Sequence, residues 1–235
     1  MRRTEIPPLS KEVQDGLGAR PKRAFLEAAP EWVAPRLLGM VLAHRTRAGW
    51  IAGRIVETEA YLGPHHLTPD PAAHSYRGPT PRNRILWGPA AHAYVYQIYG
   101  QYFCMNVTCE PEGQAGCVLL RALEPVGEQS LKKMAQNRGV APGGPTWMLT
   151  AGPSRLCQAL GLTRLKHNGL DLLDEASPLQ LRDDGFKAGE VLVTARIGIK
   201  HAVDWPLRFA LPDHNCVSGP KAMTKGSLVK RVLIV

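Results

Sequence analysis

Two carboxylates two positions apart, Glu57 and Glu59, stand just before the first of six tyrosines. Every tyrosine of the chain (Tyr61, Tyr76, Tyr94, Tyr96, Tyr99 and Tyr102) falls between positions 61 and 102 of 235. A tyrosine carries a polar tip that needs a partner once buried, so packing alone favours Leu, Val or Phe. Clustered tyrosines suit a wall that holds something flat. An electron-poor or cationic ring lying on such a wall gains about 0.5–2 kcal/mol. A carboxylate beside it can act as general base on water, a role worth roughly 10² to 10⁴ in rate. An isolated Glu-x-Glu also fits a solvated edge strand, so it is the aromatic neighbours that favour chemistry.

The elements that must position these groups follow from pattern. In an extended strand over residues 53–61, alternation puts Ile55, Glu57, Glu59 and Tyr61 on one face and Arg54, Val56, Thr58 and Ala60 on the other. Residues 40–44 form its partner strand across a polar turn at 46–49. Residues 62–91, rich in Pro and Gly, predict a long loop, and loops of this length are usually functional. Strands at 93–98 and 102–107 make a hairpin through Tyr99-Gly100-Gln101, with Gly100 free to take positive φ. Tyr94 and Tyr96 then share a face, and Tyr99 sits at the tip. Further strands are predicted at 117–123, where Arg121 interrupts an apolar run, and at 191–199 and 207–211. Helices are predicted over 31–38, 128–138 and 152–160, the last with Pro153 at the first turn, where its missing N–H costs nothing. The expected fold is α+β: a single mixed domain, residues 23–217, with a curved, mainly antiparallel β-sheet flanked by helices. A flexible arm (1–22) precedes it. A basic segment (218–235) with Lys221, Lys225, Lys230 and Arg231 follows.

A net charge of +9 favours an anionic partner, nucleic acid first among them. No run of about 18 apolar residues exists to span a membrane. The N-terminal MRRTEIPPLSKEVQDG lacks the apolar segment of a secretory signal, so the expected location is the cytoplasm, at the nucleoid in a bacterium. Five cysteines (Cys104, Cys109, Cys117, Cys157, Cys216) without a C-x-x-C pair read as reduced, buried thiols. His65, His66 and His74 with Asp70 suggest a metal-dependent hydrolase as a rival, but their spacing matches no standard ligand pattern, and neither metal nor cofactor is expected.

An alkylated purine is a flat ring of the kind these tyrosines suit. Reaching its glycosidic bond inside a duplex requires flipping the nucleotide out and filling the gap. Tyr99 at a hairpin tip is shaped for that, although an exposed Tyr also serves at ordinary protein contacts. The strings RIVETEAYLG, AAHS (72–75), TPRNR (80–84), YVYQIYGQYFCMN, VLLRALEP (118–125), GPSRLCQAL (152–160) and PLRF (206–209) together resemble the alkyladenine, or 3-methyladenine, DNA glycosylases. The resemblance runs from about residue 25 to 217. It implies a monofunctional enzyme that flips alkylated or deaminated purines (3-methyladenine, 7-methylguanine, hypoxanthine) from double-stranded DNA and hydrolyses the glycosidic bond. Glu59 is implied as general base and Arg121 as a residue that helps hold the water. Tyr61, His74 and Tyr96 are implied around the flipped base, Asn106 as a screen against the amino group of guanine, and Tyr99 as the inserted side chain. Arg82, Arg84, Arg138 and Arg155 are expected on DNA phosphates, with the helix start at Gly152-Pro153. The protein is expected to be a monomer. The alternative is a module that binds damaged DNA without chemistry, against which Glu59 speaks.

Overall fold

A computed structural model describes residues 17–141, 143–219 and 226–230. Lys221, Lys225 and Arg231 of the basic segment lie outside the described residues. The spine is β2 (Gly49–Tyr61), 13 residues long and buried through most of its length. Its first half pairs with β1 (Val41–Thr46), which also pairs with β6 (Leu179–Arg182). Its second half lies between β5 (Cys117–Pro125) and β8 (Arg208–Ala210). Beyond β5 come β4 (Tyr102–Thr108) and β3 (Ala93–Ile98). Beyond β8 come β7 (Glu190–Thr194) and β9 (Ser227–Lys230). The path β3-β4-β5-β2-β8-β7-β9 is antiparallel throughout.

Among the described residues, five α-helices flank this sheet: α1 (Pro30–Leu37), α2 (Gly127–Arg138), α3 (Trp147–Thr150), α4 (Pro153–Leu160) and α5 (Arg164–His167). α1 packs on β2, where Thr58 Oγ1 donates to the Ala34 carbonyl at 2.9 Å. α4 covers β4 and β5, and α2 packs on α4. The strands predicted from alternation and the three longer helices are present, the 191–199 strand shortened to β7. β6, β9 and the two short helices went unpredicted. A four-residue strand or a one-turn helix carries too little period to be seen in sequence. All five cysteines are free and buried. Among the described residues, no helix is long and apolar enough to cross a membrane.

The residues just outside 23–217 make contacts with the sheet. Ala19 bridges to Asp183 and Leu17 is buried, so residues 17–22 are docked on the sheet. At the other end, Ser218 is buried and β9 adds a strand beyond β7.

A buried histidine pair joins β1 to α5. His44 Nδ1–H donates to the Leu160 carbonyl at 2.7 Å, so its Nε2 is the acceptor for His167 Nε2–H at 3.1 Å. His167 Nδ1 then accepts the Thr163 N–H at 2.9 Å. These bonds need both rings neutral. Burial first, and then His44, push His167 down to about 4, and burial lowers His44 as well. An unfolded histidine titrates near 6.5. The unfolded chain therefore binds protons first, and the stability from this pair is complete above about pH 6.5 and lost as pH falls towards 4. The melting temperature is expected to fall by roughly 5 °C between pH 7 and pH 5, with a shallower slope in His167→Gln. Calorimetry at a series of pH values checks this, and a flat profile would remove the pair from the account.

Candidate active site

The site forms where β2 and β5 fall out of step. Ile55 pairs with Leu123, Glu57 with Ala122 and Thr58 with Leu120, leaving Val56 extra on one strand and Arg121 extra on the other. Such bulges re-aim side chains. Ile55 and Val56, on either side of this shift, are both fully buried in the main apolar cluster. Glu57, Glu59 and Tyr61 share one face. Arg121 reaches both carboxylates, with Nε on Glu57 at 2.8 Å and Nη1 beside Glu59 at 3.1 Å. Burial opposes the charge of Arg121, but Glu59 and Glu57 outweigh it and raise its pKa above the ordinary arginine value.

The surroundings of Glu59 are polar and ordered. Its Oε1 accepts the Ile197 N–H at 2.8 Å, and its Oε2 accepts the Tyr61 hydroxyl at 2.9 Å. Its side chain is fully buried. A carboxylate offers about four acceptor positions. With two hydrogen bonds and the Arg121 contact in place, capacity for one more donor remains. Tyr61, Arg121 and Ile197 separate Glu59 from an open cavity of about 400 Å³ and line that cavity themselves. The phenol of Tyr61 is pushed well above its ordinary range, first by burial and then by Glu59, so it stays a donor.

His74, Tyr94, Tyr96, Tyr99 and Asn106 complete much of the wall. Tyr94 and Tyr96 stack with ring centroids 5.1 Å apart, and His74 meets Tyr96 edge-on at 4.6 Å. His74 Nδ1 is 3.0 Å from the Tyr94 hydroxyl. Burial, with help from Arg82, lowers the His74 pKa, so the ring is neutral near pH 7. Tyr99 projects from the turn between β3 and β4 at φ +47° and is 88% exposed. The sequence-predicted residues Glu59, Tyr61, His74, Tyr96, Tyr99, Asn106 and Arg121 thus gather at one cleft.

The arginines separate. Arg82 is exposed near the hairpin, its Nη2 bonded to the Gln97 carbonyl at 2.9 Å, and Arg84 is exposed nearby on the same loop. Arg155 is exposed on α4 and lines a different concavity of about 880 Å³, between Trp147 and Leu228. Arg138 is half-buried, bonded to Gln158 and to the Met148 carbonyl, holding α2 against α3 and α4. The four residues weighed as metal ligands have other contacts or orientations: Asp70 holds Arg196, His66 bonds Glu31, His74 faces Tyr94 and His65 is exposed.

Sequence reasoning weighed Asp70 only as a metal ligand and missed its pairing with Arg196, in which both side chains are fully buried. Arg196 Nη2 donates to Asp70 Oδ1 at 2.9 Å and Nη1 to the Ala60 carbonyl at 3.0 Å, and its guanidinium carbon lies 4.6 Å from the centre of the Tyr61 ring. It also missed Arg208, buried on β8, which bonds Glu57 from Nε at 2.7 Å. A usable signal existed, since each arginine interrupts an apolar run (VLVTARIGI, PLRFAL), as Arg121 does.

The family described as Methylpurine-DNA glycosylase (MPG) matches residues 24–215. The chain is 47% identical over 199 residues to a protein of Koribacter versatilis, covering 85% of this chain and 93% of that one. It is 43% identical over 213 residues to a protein of Rhodopseudomonas palustris, covering 91% and 95%. It is 46% identical over 199 residues to one of Methanoculleus marisnigri, covering 83% and 96%. All three are named "Putative 3-methyladenine DNA glycosylase". An antiparallel α+β sheet carrying this cleft, with these relatives, defines an enzyme that hydrolyses N-glycosyl bonds in DNA. The chain belongs to the methylpurine-DNA glycosylase family.

Proposed function

We propose that the protein is a monofunctional repair glycosylase that releases alkylated or deaminated purines from duplex DNA, with 3-methyladenine, 7-methylguanine and hypoxanthine as its candidate bases. The observation that carries this is Glu59, held by Ile197 N–H, Arg121 and Tyr61 directly behind an aromatic cavity of about 400 Å³. A flipped purine lies among Tyr61, His74 and Tyr96, with Asn106 against the edge where guanine carries its amino group. Glu59 takes a proton from a water placed with help from Arg121. The water oxygen bonds to the sugar C1′, the C1′–N bond breaks, and its electron pair leaves with the base. A purine made cationic by alkylation departs neutral, which is why it is the easier leaving group.

Arg82 and Arg84 suit phosphates beside the hairpin, and Arg155 suits phosphates farther along the duplex. Arg138 fits this role less well, because its guanidinium is engaged within the helices. One chain supplies every residue this reading needs, which supports a monomer. It acts where the DNA is, in the cytoplasm and at the nucleoid in a bacterium. The test is base release from matched duplexes carrying each lesion. Lesion binding without release of any of the three bases would leave a damage-binding module as the better reading.

Tyr99 tests the flipping step. Tyr99 stands at positive φ, where a non-glycine residue carries strain on the order of 1–3 kcal/mol. If its ring fills the vacated space, Tyr99→Ala loses stacking worth roughly 1–3 kcal/mol in the flipped state alone. Release from a duplex is expected to fall about tenfold to a hundredfold. Binding to undamaged duplex, dominated by phosphate contacts, should hardly change. Single-turnover assays on duplex and bulged substrates check this, and equal losses on both would assign Tyr99 to the pocket wall.

A further inference from the structure

The family match ends at residue 215, yet the polar network under the site extends past it. Ser218, 5% exposed, meets Glu57 and Arg121 together. Its Oγ accepts from Arg121 Nη2 at 3.0 Å and donates to Glu57 Oε1 at 2.8 Å. Its N–H donates to Glu57 Oε2 at 2.6 Å, and its carbonyl accepts from Arg208 Nη2 at 2.9 Å. Glu57 thus also receives Arg121 Nε and Arg208 Nε on Oε1, which commits both of its oxygens. It is fully buried and engaged on all sides, and it is Glu59 that lies behind the cavity.

Arg121 is consequently held at three points: Nε by Glu57, Nη2 by Ser218 and Nη1 by Glu59. A planar guanidinium fixed on three nitrogens has a single orientation, and releasing one lets the plane tilt about the others. Where a charged group must aim at reacting atoms, the groups behind it set that aim. We propose that Ser218 is a positioning residue for base release: its hydroxyl fixes the guanidinium plane of Arg121, and through it the water beside Glu59. This deepens the function proposed above and rests on it.

The division of labour within Ser218 makes the inference testable. Its backbone N–H and carbonyl tie the segment to Glu57 and Arg208 and survive any side-chain change. Its hydroxyl carries no charge, so deleting it leaves the balance of Glu57 and Glu59 against Arg121 and Arg208 intact. The full chain is assayed for single-turnover release of 7-methylguanine from duplex DNA, for affinity towards the same lesion duplex, and for melting temperature. Ser218→Ala is expected to lower the rate about tenfold, with affinity within about twofold and melting within about 2 °C of the parent. Ser218→Thr, which keeps the hydroxyl, should recover most of the rate. A wild-type rate in Ser218→Ala overturns the inference. So does a loss of rate that tracks a loss of melting temperature and is not restored by Thr, because that marks plain structural support. Failure of the unaltered protein to release base from any lesion duplex is a separate result and removes the proposed function itself.

Discussion

Glu59→Gln is expected to lower base release by roughly 10² to 10⁴ while leaving the fold and lesion binding close to normal. The substitution is nearly isosteric. Its amide oxygen can keep the Ile197 N–H and face Arg121, and the amide nitrogen can donate to the Tyr61 hydroxyl, which turns to accept. What it cannot do is take a proton from water. Arg121 keeps Glu57 beside it, but Glu57 is shared with Arg208, so the variant leaves two buried arginines on one carboxylate. Melting should therefore fall by roughly 5 °C, on the order of 2 kcal/mol. Single-turnover release, lesion-duplex affinity and a melt on the same preparation separate these effects. Near-parental release would remove Glu59 from the role of base. Glu57→Gln is the contrasting variant, since Glu57 accepts from two arginines and from Ser218 and is expected to cost stability first. A stable, catalytically dead Glu57→Gln beside an active Glu59→Gln would reverse the assignment along β2.

The largest loss of stability is expected from Asp70→Ala. Asp70 and Arg196 are both fully buried, and the aspartate also accepts the N–H groups of Ala72 and Leu62. Removing it strands a guanidinium in the interior and frees those donors, a loss of about 3–5 kcal/mol when one partner of a buried pair is deleted. For a chain of this size that is a fall of roughly 10 °C in melting temperature. The same pair joins the loop that carries His74 to the segment that carries Ile197, whose N–H holds Glu59. Release should fall with stability, and Asp70→Asn, which keeps the shape and part of the bonding, should lose less of both. A melt within about 2 °C of the parent would show that Arg196 finds solvent or another partner.

The difference between what was legible in the sequence and what was not follows from the range of the forces. The strand with Glu57 and Glu59, the hairpin at Tyr99 and the helix opening at Pro153 are local, written in alternation, turn chemistry and a proline's missing N–H. The aromatic wall was legible because six tyrosines crowd one stretch. The bulge that sets Arg121 opposite both carboxylates was not, because a single extra residue on each strand leaves no periodic trace. Asp70 with Arg196, and Glu57 with Arg208 and Ser218, join positions 126, 151 and 161 apart. Such partners are chosen by burial, since each buried charge must find an opposite one somewhere in the fold. An arginine within an apolar run announces that need without naming who meets it.

The span from Glu57 to Ser218 has a consequence for the order in which the molecule is made. Strands β1 to β5 can pair with one another while the later chain is still on the ribosome, since those pairings need nothing beyond Pro125. Glu57 and Arg121 are by then enclosed in the same sheet, but Ile197, Arg208 and Ser218 have not arrived. A partly made chain thus already has the tyrosines and basic loops proposed to grip DNA, while Glu59 still lacks the Ile197 N–H and Arg121 still lacks Ser218. On the proposed function, a prematurely terminated product lacks the groups that ready Glu59 and Arg121 for base release, whatever DNA it binds.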